Sequence, residues 1–389
     1  MKEKALSGDL QLTGLGIPAL LFLSILFIIF SIASFLYFIS VILLYPLYFT
    51  VMHLAYTSRT EEDEIHYAKT DDGWEIALHR YIPKTPPGGY PVVFLHGIFV
   101  NRFSVDLEEN RSLARYLQEC GYEVYVPDLR NKGNSRYKGR GRPKVFSFDD
   151  LVKKDAPAII EKVLEVSGKK KLHWIGHSMG GMIGYSLFSL PRISGKIHSL
   201  ITIAAPGKSD FIRNGPWFAF VRFRKLVNYF NIKFLARIFI PLSGILDMPP
   251  ESFIYSRENI SPNTIRKLKM NAVENTSPLL LQQLAEWIIS GKEMSLDGKT
   301  NYGQIYKKIK CPVLILGGMK DQIANPAGVI HAYKNCSSKQ KKLILFGKEI
   351  SGKSDFCHMG IIAGNQSRSE VFPEIEKWLK QKSKGGTRK

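Results

Sequence analysis

Cysteine is scarce: Cys120, Cys311, Cys336 and Cys357 are the four in a chain of 389 residues. Such a count excludes a disulfide scaffold, and none of the four stands at the paired spacing of a zinc or redox motif, so they read as mostly buried thiols. No cofactor or metal is therefore expected. Charge is missing altogether from Leu10 to Ser58. Acidic residues are in deficit elsewhere, 34 against 54 Lys and Arg, which gives a net charge of +20. Residues 1 to 9 cancel, so the whole excess lies beyond the uncharged stretch; residues 206–310 alone hold 16 basic and 8 acidic side chains. There is no internal repeat and no low-complexity tract besides the basic tail KQKSKGGTRK, and 45% apolar residues exclude a disordered chain.

What fills the uncharged stretch is a nearly unbroken apolar run from Leu15 to Tyr56. It is about twice the roughly 20 residues that cross a bilayer as helix. It is too long for the apolar region of a signal peptide, and no small-x-small cleavage site follows, so it is expected to stay on the mature chain. Pro18 suits a helix start and Pro46 a helix break, which predicts one tilted span followed by an interfacial segment with Tyr45, Tyr48, His53 and Tyr56. A hairpin of two short helices is the alternative, although nothing between Ile32 and Phe38 supplies a turn residue. Lys2 and Lys4 on one side and Arg59 on the other leave the orientation open, and retained thiols lean towards a cytoplasmic catalytic domain.

Beyond Arg59, short apolar runs alternate with helical segments, the pattern of a mostly parallel sheet covered by helices. An opening hairpin is expected from IHYAK and WEIALHRYI around Asp71-Asp72-Gly73. Strands follow at YPVVFL (90–95), YEVYVPD (122–128), LHWI (172–175) and HSLITIAA (198–205), with helices over 107–120, 149–166 and 181–190. The alternation then lapses and resumes at PVLIL (312–316) and KKLILF (341–346), before a last helix near 370–381. This divides the chain into an anchor (1–58), a first core part (59–205), a cap insertion (206–310) and a second core part with the basic tail (311–389).

Gly176-His177-Ser178-Met179-Gly180 stands between a strand and a helix, the context of the G-x-S-x-G elbow. Glycines flanking the serine relieve crowding in a strained turn that holds its hydroxyl exposed. A serine hydroxyl needs a base to take its proton and a carboxylate to orient that base. Asp321 follows the strand PVLIL and His358 follows KKLILF, each beyond a strand end, where ligand sites in such sheets form. An oxyanion hole needs backbone donors, which Ile98 in His96-Gly97-Ile98 and Met179 are placed to supply.

From Tyr67 onward the chain resembles the α/β-hydrolase superfamily, and TDDGWEIALHRY, VVFLHGIFVNR and SLARYLQECGYEVYVPDLRNKGNSR resemble the N-terminal half of the acid lipase group. The resemblance implies an α/β-hydrolase fold with a helical cap and Ser178, Asp321 and His358 as the catalytic triad of an enzyme acting on esters of neutral lipids. Two positions depart from the common pattern: Gly360 stands where many members carry Asp, and Cys357 replaces a usual Gly. Polyhydroxyalkanoate synthases share parts of this pattern with a cysteine nucleophile, which Ser178 argues against.

Competing assignments are few. His96 and His177 read as loop-packing residues, His331 as a competing base within the helix AGVIHAYK, and Asp355 as a competing acid without a strand-end setting. The expected function is a membrane-anchored serine esterase on lipid-like acyl esters. An acyltransferase using the same acyl-enzyme and a noncatalytic binding protein are the alternatives. Residues 211–240 hold six basic, no acidic and nine aromatic residues, which suits contact with an anionic bilayer or an ordinary cap over the pocket. No nucleic-acid motif accompanies them, so the expected partners are an acyl ester or lipid and the membrane; the oligomeric state is left open.

Overall fold

The computed structural model describes residues 16–85, 89–208, 221, 231–245, 251–351 and 354–383. The chain divides into two compact units, Met1–Ala55 and Tyr56–Lys389.

Among the described residues, the first unit is one helix, α1 (Gly16–Tyr56), whose last residue begins the second. It is long and apolar enough to cross a membrane, and its apolar side chains from Leu21 on are largely exposed. The expected break at Pro46 does not occur, and there is no hairpin: the helix runs through the proline. Proline removes one backbone donor, but the remaining turns keep their bonds, and an apolar segment has no better way to satisfy its backbone. The tyrosines assigned to an interfacial segment belong to this same helix.

The second unit is built on a sheet. Its opening hairpin, β1 (Glu64–Lys69) and β2 (Trp74–Tyr81), pairs antiparallel around the turn at Gly73 (φ +90°). Then come β3 (Val92–Leu95), α2 (Leu113–Glu119), β4 (Val124–Pro127) and a two-residue β5 (Arg136–Tyr137) on β2. The helix expected from residue 107 starts only at Leu113, because Ser112 caps it through Arg115 N and Asp106 bridges Ser112. α3 (Ala156–Ser167) ends on Gly168 in the left-handed conformation. Pro157 is tolerated because a wide π-turn, Leu151–Asp155, precedes it and places it in the first turn.

The elements β6 (Leu172–His177), α4 (Met179–Ser186) and β7 (Ile197–Ile203) follow. Helices α5 (Ile232–Ile238), α6 (Pro262–Asn271) and α7 (Pro278–Ser290) lie between β7 and β8 (Val313–Gly318). The chain continues with α8 (Pro326–Asn335), β9 (Lys341–Phe346) and α9 (Phe372–Ser383). Of the aromatic and basic stretch 211–240, all but Val221 and residues 231–240 lie outside the described residues.

The strand order is β1-β2-β4-β3-β6-β7-β8-β9. From β4 to β9 every pairing is parallel. Parallel strands covered on both faces read as apolar runs, and β3, β6 and β8 are buried throughout. The consequence for function is directional. The C-terminal ends of β3, β6, β8 and β9 lie along one edge of the sheet, and the loops leaving that edge carry His96 to Ile98, Ser178, Asp321 and His358.

Candidate active site

Ser178 joins β6 to α4 with φ +53° and ψ −121°. A non-glycine residue in such a conformation costs about 1–3 kcal/mol and persists only where its surroundings hold it. The bonds that do so are Ser178 N to Ile203 O at 2.9 Å, and Gly181 N and Met182 N to Ser178 O at 2.9 and 3.1 Å. The glycines of the motif answer to backbone contacts. A Cβ at Gly176 would lie 2.2 Å from Gly180 O, and one at Gly180 would lie 2.3 Å from Leu95 O. A Cβ at Gly97 would come within 3.1 Å of Ser178 Cβ. The end of β3 and the start of α4 are therefore in backbone contact, with the loop after β3 against the serine.

Ser178, Asp321 and His358, read separately from the sequence, meet here. Ser178 Oγ stands 3.0 Å from His358 Nε2, and His358 Nδ1 stands 2.9 Å from Asp321 Oδ2. A carboxylate only accepts, so Nδ1 carries the ring proton and Nε2 is left to accept from the serine. Asp321 Oδ1 is occupied by the amides of Ile323 and Ala324 at 2.8 and 2.9 Å. All three side chains are buried. Ile98 follows Gly97, which lies against Ser178, and Met179 follows the serine itself; neither backbone amide donates to another group among the described residues. Met179 opens a helix, where first-turn amides have no intrahelical acceptor.

The competing residues are placed elsewhere. Asp355 Oδ1 accepts from Lys348 N, and its carbonyl accepts from Asn259, while the Nδ1 of His358 is taken by Asp321. His331 lies in α8, with its ring near Tyr306. His96 donates through Nδ1 to Gly97 O at 2.8 Å and accepts from Leu129 N at 3.2 Å, which fixes the loop after β3. Burial pushes the pKa of this ring down to about 4, leaving it neutral near pH 7.

His177 has a part that the sequence did not disclose. Its Nε2 donates to the backbone carbonyl of His358 at 3.0 Å, and the two rings lie 4.8 Å apart. Burial, and then the proximity of His358, holds His177 well below the usual histidine range. A neutral ring there puts no cation beside His358. Cys357, next to the histidine, is buried and its pKa is pushed up to about 11, first by burial; its sulfur accepts from Gly360 N. Gly360 sits close against it, since a Cβ there would lie 2.9 Å from the sulfur. The two positions that departed from the common pattern are thus in mutual contact. Among the described residues, no group of three or more His, Cys, Asp or Glu gathers to hold a metal ion.

This arrangement can transfer a proton from a hydroxyl to a ring while a buried carboxylate stabilises the resulting imidazolium. Known proteins with similar chains bear on what it acts upon. A family model described as alpha/beta hydrolase fold matches residues 90–348. Gastric triacylglycerol lipase of Rattus norvegicus is 33% identical over 354 residues, covering 79% of this chain and 85% of that protein. Lipase member K of Mus musculus is 26% identical over 361 residues, covering 82% and 88%. Among solved structures, a monoacylglycerol lipase of Paleococcus ferrophilus has a TM-score of 0.53 at 19% identity, covering 78% of this chain and 99% of that one. A thermophilic esterase of Thermogutta terrifontis has a TM-score of 0.56 at 19% identity, covering 82% and 99%. At such identities the two structures speak to the fold.

Proposed function

Given that the chain belongs to the α/β-hydrolase family and is a carboxylic ester hydrolase of the lipase and esterase kind, we propose that it cleaves lipid-like acyl esters at a membrane through an acyl-enzyme on Ser178. The observation that carries the reading is the continuous relay from Ser178 Oγ through His358 to Asp321, at 3.0 and 2.9 Å.

In this mechanism Ser178 Oγ bonds to the ester carbon as its proton passes to His358 Nε2. The carbonyl oxygen becomes an oxyanion and receives the Ile98 and Met179 amides; losing one such donor typically costs about 100- to 1000-fold in rate. The intermediate collapses by breaking the bond to the leaving alcohol, which takes the proton from Nε2. Water then adds to the acyl-serine, again giving a proton to His358, and releases the carboxylic acid with the serine hydroxyl restored. Asp321 keeps the proton on Nδ1 throughout and offsets the charge of the imidazolium.

Residues 1–58 serve as the anchor in this reading, 59–205 and 311–389 as the catalytic core, and 206–310 as a cap. Helix α1 supports the anchor by its length and exposed apolar surface. Four cysteines outside any disulfide favour a catalytic domain on the cytoplasmic face. The net positive charge beyond residue 58 would draw that domain towards anionic lipid.

The test of the nucleophile is a fluorophosphonate probe on the full chain in detergent. Wild type should label and Ser178→Ala should not; labelling that survives the substitution refutes the assignment. For the anchor, the full chain should stay with membranes through alkaline carbonate extraction. Release, or a mature chain shortened past α1, would mean that the helix is a leader.

A further inference from the structure

Phe99, directly after Ile98, has φ +57°. For a bulky side chain this is a strained backbone that must be held in place. The hold comes from cap residues far along the chain. Glu274 N donates to Phe99 O at 2.7 Å, Val100 bridges Val273 antiparallel, and Asn101 N donates to Ala272 O at 2.9 Å. Side chains reinforce the pairing. Asn101 Nδ2 donates to Glu274 Oε1 at 3.0 Å and to Asn271 O at 2.9 Å, while Lys233 Nζ meets Glu274 Oε2 at 2.9 Å. Lys132, buried, donates to Asn275 O at 2.7 Å.

The other end of the same cap segment grips the loop of His358. Met359 N donates to Ile254 O at 3.1 Å, Asn365 N to Asn259 O at 2.7 Å, and Asn259 Nδ2 to Asp355 O at 2.8 Å. Between the two grips stands α6, capped at its start by Ser261 and seated by buried Ile265 and Leu268.

We propose that residues 254–275 form a strut that fixes the loop after β3 against the histidine loop, with Glu274 a positioning residue that keeps the Ile98 amide aimed at the oxyanion. This rests on the function proposed above. Without the Glu274 carboxylate, Asn101 Nδ2 and Lys233 Nζ lose the group that joins them; the bridge is then left to its backbone bonds and loosens, so that Phe99 relaxes towards negative φ and the peptide units before it turn with it. The amide that should meet the developing charge then points away, while the hydroxyl and its base stay where they were.

The experiment compares the full chain on a 4-nitrophenyl acyl ester and on its thionoester, whose sulfur is a weaker hydrogen-bond acceptor and gains less from an oxyanion hole. Glu274→Ala should lower kcat on the oxoester by about 10- to 100-fold, up to the loss of one donor, with KM within about 2-fold. The thionoester should lose far less, so that the ratio of the two rates falls. Glu274→Gln keeps the acceptor for Asn101 and should restore the ratio. Asn259→Ala, at the histidine end, should slow both substrates equally. Should Glu274→Ala fail to fold, Asn101→Ala removes that bond from the loop side, together with the bonds to Asn271 O and from Phe103 N, and the ratio of the two rates is read in the same way. An unchanged ratio in the variant that folds overturns the proposal, whatever happens to overall activity. Wild-type hydrolysis that survives Ser178→Ala would instead overturn the function on which it rests.

Discussion

Replacing Asp321 by Asn should cost far more than one lost charge, because the amide has only one comfortable orientation. In the native site one carboxylate oxygen takes two amides, from Ile323 and Ala324, and the other takes His358 Nδ1–H. An asparagine oxygen can keep the two amides only by turning its NH2 towards the ring. The opposite orientation faces NH2 against two N–H donors and forfeits both bonds, about 1 kcal/mol each with a desolvation penalty added for every group left unpaired. The substituted side chain would therefore donate to Nδ1, and the ring proton would move to Nε2, facing Ser178. A base whose accepting nitrogen is already protonated cannot take the serine proton. The expected loss in kcat is about 10⁴-fold, or about 5.5 kcal/mol of transition-state stabilisation. The assay is steady-state hydrolysis of a soluble ester by Asp321→Asn at neutral pH, with thermal unfolding as a check that the fold is intact. A folded variant within about 10-fold of wild type would refute the tautomer argument. If Asp355→Asn were then the variant that lost activity, the orienting role would pass to Asp355.

Two further predictions concern stability. Gly180→Ala drives a Cβ into the carbonyl of Leu95, a backbone atom with no easy retreat, and should destabilise by about 3 kcal/mol or more while lowering ester turnover. Gly195→Ala, with open space around its Cβ, is the matched control and should unfold within about 1 kcal/mol of wild type; equal urea midpoints for the two variants would sink the contact argument. Asp128 is buried, which alone would raise its pKa, but the hydrogen bond and charge of His79 outweigh burial and hold it at about 2. With the folded value below the unfolded one, the carboxylate stabilises the protein fully above about pH 4. That contribution, about 2 kcal/mol, is lost as pH falls from 4 towards 2. Asp128→Asn should flatten this acid limb in unfolding measured between pH 2 and 5, and an unchanged limb would exclude the linkage.

Much of this protein follows from local pattern. Mostly apolar segments of four to eight residues marked the parallel strands, because a strand covered on both faces has no polar side to show. The elbow at Ser178 was legible because a strained turn requires small neighbours, and Asp321 and His358 because strand ends are where such sheets place chemistry. An uncharged run of this length pointed to a helix with the bilayer as its solvent. Local pattern misjudged the passage through Pro46, where proline's preference yielded to the backbone's need for internal bonds. Only the tertiary structure decided what lies between distant segments. His177 reaches the carbonyl of His358, 181 residues away, and Asn101 reaches Glu274 across 173. No periodicity records such pairs, since each depends on two loops being carried together by the sheet and cap beneath them. The sequence by itself determined which groups are candidates for the chemistry; the packing of remote segments decided that they meet and what holds them in place.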